Sequence, residues 1–249
     1  MLALAAAALL ALVLWLAVSL RGENVSETIP TQTTEATREA TEPVSQETTL
    51  PAETEMVTQP TEAPDVMLAE GLKLIQTGSY AGIYMEDGSD EPVANVMMLI
   101  LQNTSEKDIQ LARISLEYPD HTAEFEVTNL PAGEMLVTLE RSRQSLPQEE
   151  YLSASVNGLV YFQEPMELRE DVLQVTGSAG MLEVTNLSDQ DIADSIYIYY
   201  KNSASDLLYG GITYRVEVRG GLPAGGTAQV ISGHYNPQSS RVIMVDWGE

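Results

Sequence analysis

Four groups of residues in this chain have types and spacings that could do chemistry. Glu86, Asp87, Asp90 and Glu91 surround Gly88, while Asp189, Asp191 and Asp194 follow closely on one another. Clustered carboxylates can supply the six to eight oxygens that calcium takes. Neither run has the spacing of an EF-hand loop, so both are read as solvated acidic loops. His121 follows Pro119-Asp120 in an expected hairpin turn, and His234 lies in the expected loop Gly233–Pro237. One histidine in each half makes neither a metal cluster nor a catalytic triad. Tyr197 and Tyr199 alternate with Ile196 and Ile198. At the two-residue period of a strand the rings share one face and the isoleucines the other. If the isoleucines are core, the tyrosines form an aromatic strip suited to protein or glycan contact. The competing reading is cross-strand pairing that stabilises the sheet. No carboxylate spacing singles out an acid and a base. The chain has no cysteine, which excludes disulfides, thiolate catalysis and cysteine-ligated metals. The expectation is a protein that is not an enzyme, with no catalytic, cofactor or metal residue assigned, and with Tyr197 and Tyr199 as the candidate interaction surface.

The elements that must position these residues are marked by a duplication. Leu130-Pro131-Ala132-Gly133 recurs as Leu222-Pro223-Ala224-Gly225. Asn103-Thr104-Ser105 recurs as Asn186-Leu187-Ser188, each followed by acids and an isoleucine, Ile109 or Ile192. Thr77-Gly78-Ser79-Tyr80-Ala81-Gly82 recurs, one residue shorter, as Thr176-Gly177-Ser178-Ala179-Gly180. Three marks in the same order signal a repeated unit. The Asn-x-Ser matches also fit a glycosylation pattern, but an asparagine bonding its own backbone at a strand end is the expected role.

Within each copy the pattern is that of strands. Ile114, Leu116 and Tyr118 recur at period two and are answered by Ile196, Ile198 and Tyr200. Ala123, Phe125 and Val127 are answered by Tyr214, Val216 and Val218. Such alternation marks antiparallel strands with one wet face. The Leu-Pro-Ala-Gly segments are turns, since proline presets φ and glycine tolerates positive values. Val66–Gln76 fits a helix or a first strand. The expected fold class is all-β: two antiparallel β-sandwiches in tandem, over residues 66–165 and 166–249.

The N-terminal quarter is of another kind. Leu2 to Leu20 is apolar apart from Ser19, long enough to cross a bilayer as a helix and long for a cleaved signal. Residues 1–21 are therefore expected to be a membrane anchor, with the membrane a partner through residues 2–20; the alternative is a signal peptide cleaved after a small residue such as Ala17 or Ser19. No base precedes the run and Arg21 follows it. Long domains cross membranes largely regardless of charge, so the C-terminal part is expected outside. The bare start leads us to expect a basic extension upstream. Residues 22–65 hold ten acids and one base, five prolines and no aromatic residue. That composition cannot offset its ordering entropy and is expected to form a disordered stalk reaching roughly 130 Å at full extension. The whole chain carries a net charge of −25, which argues against nucleic acid as a partner.

A strand ending in Asn-Thr-Ser, an Ile-led strand and a Pro-Ala-Gly-Glu turn together resemble the Ig-like modules, of FxLYD type and related families, in membrane-anchored proteins of Firmicutes. The resemblance covers Val66–Glu249 in two copies. It implies Ig-like sandwiches and a non-catalytic, single-pass, extracytoplasmic interaction or envelope module, contacting an envelope protein or a glycan. The alternatives it leaves are the ectodomain of a sensor or transport-accessory protein, and a carbohydrate-binding accessory domain.

Overall fold

The computed structural model describes residues 65–248, and within them the ambiguous stretch after Val66 is strand. Val66–Ala69 (β1) and Leu72–Ile83 (β2) form a hairpin, turned at Gly71 with φ of +80°. That left-handed conformation is open to glycine at little cost. The first repeat continues through β3 (Pro92–Asn103), β4 (Ile109–Glu117), β5 (Thr122–Leu130), β6 (Met135–Leu139) and β7 (Ser153–Tyr161). The second comprises β8 (Leu173–Ser178), β9 (Met181–Asn186), β10 (Ile196–Ala204), β11 (Leu207–Val218), β12 (Thr227–Ile231) and β13 (Ser240–Trp247). The described residues contain no helix, and the fold is all-β and sandwich-like. The expected anchor and stalk, residues 1–21 and 22–65, lie outside the described residues apart from Asp65.

The duplication reaches the strand order. The first repeat arranges β2-β3-β6 and β5-β4-β7, and the second arranges β8-β9-β12 and β11-β10-β13. Leu72 pairs with Asn103 across β2 and β3, as Leu173 pairs with Asn186 across β8 and β9. Thr77 lies opposite Leu99, whereas Gly177 lies opposite Leu182. The sequence match of Thr77 with Thr176 is therefore slipped by one residue, and the bulge between Leu74 and Gln76 takes up the difference.

Each repeat is pinned by the same buried asparagine. The Asn103 amide donates to the carbonyls of Lys107, Leu130 and Pro131 at 2.8–3.1 Å. Its oxygen accepts from the Ser105 N–H and hydroxyl. The Asn186 amide donates to Gln190, Leu222 and Pro223, and its oxygen accepts from Ser188 in the same two ways. Both side chains are inaccessible to solvent. Each ties a strand end to the Pro-Ala-Gly turn, which is why these two marks recur together.

The repeats are joined by an element the alternation did not suggest. Strands β6 and β11 pair in parallel, with Leu208 beside Leu136 and Tyr209 beside Val137. A seven-stranded sheet results, ordered β1-β2-β3-β6-β11-β10-β13. Leu136 and Leu208 share one face and help build the first core with Leu99, Leu101, Ile114 and Phe125. Ile198 and Tyr200 point to the opposite face and build the second core with Leu182, Val184 and Val245. The central strands are thus covered on both sides. Val96, Met97, Met98 and Leu99 are buried in succession, and Met98 packs with Tyr80, Tyr84 and Leu139 instead of facing water. Continuous apolar runs are what doubly covered strands require.

Candidate functional site at the seam between the repeats

The seam is built around a bulge in β11. Tyr200 pairs with Tyr214 and Asn202 with Tyr209, so Gly210–Thr213 stand opposite the single residue Lys201. The bulged backbone leans on the first repeat. A Cβ on Gly211 would lie 1.9 Å from the Glu126 carbonyl oxygen, so only glycine fits there. The Thr128 hydroxyl donates to the Gly211 carbonyl, and the Thr213 hydroxyl donates to the Thr128 carbonyl.

Two opposite charges flank the bulge. Lys201 follows the apolar run of β10 into the interior and is fully buried. Its ammonium donates to the carbonyls of Gly210, Gly211 and Ile212 at 3.0, 2.9 and 2.7 Å. Three acceptors match the three donors of an ammonium. On the other side, the Glu86 carboxylate accepts the Gly211 N–H at 2.8 Å and the Leu139 N–H at 2.7 Å. Burial raises the Glu86 pKa, opposed by those N–H groups and by the Lys201 charge. Burial also pulls Lys201 down to about 7, opposed by Glu86. Both shifts are desolvation effects.

The rest of the acidic loop is divided among separate partners. Asp87 and Glu91 both bind Arg143, at 2.8 and 2.6 Å, and the Arg143 guanidinium lies 4.4 Å above the Tyr84 ring. Hydrogen bonds from Ser89, followed by Arg143, hold Asp87 below the usual carboxylate range. Asp90 lies 3.0 Å from His234 in the second repeat. His234 stacks on Tyr214, and Tyr214 on Tyr200. The Tyr200 and Ser232 hydroxyls bond each other. Among the described residues Tyr214 Oη is buried without a partner, and burial pushes its pKa up to about 12.

The other candidates from the sequence fall elsewhere. Asp191 accepts the Ala224 N–H at 2.8 Å, as Asp108 accepts that of Ala132, so it secures the turn of its repeat. His121 bonds Asp120 and stacks on Tyr118. Tyr197 is partly buried beneath the Arg215 guanidinium, 4.9 Å from its ring. Tyr199 packs against the core of the first repeat. Sequence reasoning passed over Lys201 and took Glu86 as part of a solvated acidic loop, whereas its carboxylate holds the bulge of the second repeat. A readable signal existed in Tyr209-Gly210-Gly211, because paired glycines inside a strand mark a bulge or a close backbone approach.

A recess of about 470 Å³ opens beside the seam. Tyr80, Ile83, Met85 and Tyr209 supply apolar surface, and Asp90, Asn202, Ser203, Asn236 and Ser239 supply polar atoms. It draws on both repeats, and such junctions are where small-molecule sites concentrate. Compared with protein-family models, with curated proteins and with solved structures, the chain matches none.

Proposed function

We propose that this chain is a non-catalytic binding module of the cell envelope: two Ig-like sandwiches in tandem, carried outside a membrane by an N-terminal anchor and an acidic stalk. The observation that carries the reading is how the charged groups at the seam are engaged. Glu86, Lys201, Asp87, Glu91, Asp90 and His234 each hold one part of the structure to another, and the recess beside them joins apolar surface to amides and hydroxyls. Those are features of recognition, not of acid–base chemistry. The same strand order in both repeats supports the Ig-like assignment. The apolar run and the Thr/Glu/Pro-rich segment support the anchor and stalk.

The test uses intact cells making the full chain. The chain is expected in the membrane fraction. External proteinase K is expected to cut within residues 23–65 and release a resistant fragment beginning near Val66. Recovery in the cytosol, or a stalk shielded from the protease, overturns the reading. Among the alternatives, a carbohydrate-binding accessory role is favoured by one observation, the mixed lining of the recess.

A further inference from the structure

We infer that the recess at the seam binds a neutral, hydroxyl-rich ligand of the saccharide class, between the apolar surface of Ile83 and Tyr209 and the amides of Asn202 and Asn236. This rests on the reading of the chain as a binding module and names what it binds.

The lining selects the class. Tyr80 and Met85 are buried and form apolar ground, Tyr209 is half-buried, and Ile83 keeps 42 % of its surface exposed. Together they offer an apolar patch to the C–H face of a sugar ring. The polar atoms suit hydroxyls, which both donate and accept. The Asn202 oxygen accepts from the Ser240 hydroxyl and the Asn236 oxygen from the Gln238 N–H. Each amide NH₂ is left to donate to a ligand. Ser203 and Ser239 add hydroxyls. Asp90 uses Oδ2 on His234, which leaves Oδ1 as an acceptor.

Charge narrows the choice. Among the described residues, Asp90 is the only carboxylate in the lining and it already bonds His234, while no lysine or arginine lines the recess. With a net charge of −25 on the chain, an anion is repelled. A cation would find one paired carboxylate and no aromatic cage. The size, about 470 Å³, falls within the range of small-molecule sites, roughly 300–1,000 Å³. The recess also depends on the joint between the repeats, since Asn202, Ser203, Ala204 and Tyr209 belong to the β10–β11 hairpin tip that reaches across to β6.

Saturation-transfer NMR on the full chain tests this, with glucose, galactose, mannose and N-acetylglucosamine at millimolar concentration as probes. Transfer to the ring protons of at least one is expected. Ala204→Trp fills the rim from an exposed position, and Asn202→Ala removes a donor; each is expected to weaken the signal at least about tenfold with the melting curve unchanged. Tyr197→Ala lies outside the recess and is expected to leave the signal intact. Silence with all four sugars, binding that survives Ala204→Trp, loss on Tyr197→Ala, or transfer to choline or phosphate in place of sugars overturns the inference. If the sugars are silent while the chain remains membrane-bound and open to external protease, only the ligand class fails and the binding-module reading stands.

Discussion

The β4–β5 hairpin of the first repeat and the β10–β11 hairpin of the second occupy the same place in the same six-strand plan, but only the second extends its tip to pair with a strand of the other repeat. The first closes at Pro119-Asp120-His121, where His121 stacks on Tyr118. The second runs on past Tyr200 and Tyr214 to a turn at Ser205-Asp206. Lys201, the Gly210–Thr213 bulge and the Leu207–Tyr209 segment that pairs with β6 all lie in this extension. The duplication therefore keeps a frame, secured by Asn103 and Asn186, and changes one hairpin tip to join the copies. The two sheet edges show the other side of the same asymmetry. Strand β6 is covered by β11, while among the described residues its counterpart β12 pairs only with β9 and carries Ile231 at 87 % exposure.

The strongest way to break the comparison is Gly211→Val. With a Cβ due 1.9 Å from the Glu126 oxygen, the bulge must leave its seat. The cost is expected to exceed about 4 kcal/mol in urea denaturation, since overpacking and loss of the Glu86 and Lys201 partners act together. The first hairpin has no equivalent position, because β4 and β5 contain no glycine and only receive this contact, through the Glu126 carbonyl. A loss under about 1 kcal/mol would mean that the seam is loosely held.

Asn103→Ala and Asn186→Ala sharpen the shared half of the comparison. Each removes three donated and two accepted hydrogen bonds from a buried site. Each is expected to cost about 3 kcal/mol, from carbonyls left unsatisfied. Equal losses at the two positions would show that the pin has the same importance in both frames. A difference larger than about 1.5 kcal/mol would show that one repeat compensates and the other does not.

The smallest effect is a slope. A lysine whose folded pKa is depressed binds fewer protons folded than unfolded once pH exceeds that value. Its contribution therefore raises stability as pH climbs from about 7 toward the ordinary lysine value of 10.5. Glu86, with a raised folded pKa, acts in the opposite sense, taking stability away as pH rises above 4.5. Lys201→Met is expected to lower the melting temperature at pH 7, because three carbonyls lose their donor, and to flatten its rise between pH 7 and 9.5. An unchanged slope would place the titrating group elsewhere.

The duplicated frame was legible because it rests on local marks. An asparagine, a serine two residues later and a Pro-Ala-Gly turn are a short hydrogen-bonding pattern, and a bonded strand-end asparagine is what the structure contains. Strand positions followed from alternation at Ile114, Leu116, Ile196 and Ile198, all buried. The seam was not legible because parallel pairing of residues some seventy positions apart leaves no periodic trace. Its one local sign is in β3, where the unbroken apolar run from Val96 to Leu101 records a strand covered on both faces. The acidic loop misled for a related reason. Carboxylates adjacent in sequence suggest a common ligand, yet Asp87 and Glu91 turn to Arg143, Asp90 to His234, and Glu86 to a backbone in the other repeat.

The joint between β6 and β11 also orders events on the ribosome. Strand β6 is complete at Leu139, but its neighbour arrives only with Leu207–Tyr209. At about 5–20 residues per second, the gap lasts roughly 4–14 s. Throughout it the nascent first repeat presents Met135-Leu136-Val137-Thr138-Leu139, an edge with neither charge nor proline, to whatever strand comes near. The finished chain closes that edge with its own second half. A ribosome stalled before Leu207 leaves it open, and such a fragment is a template for misassembly.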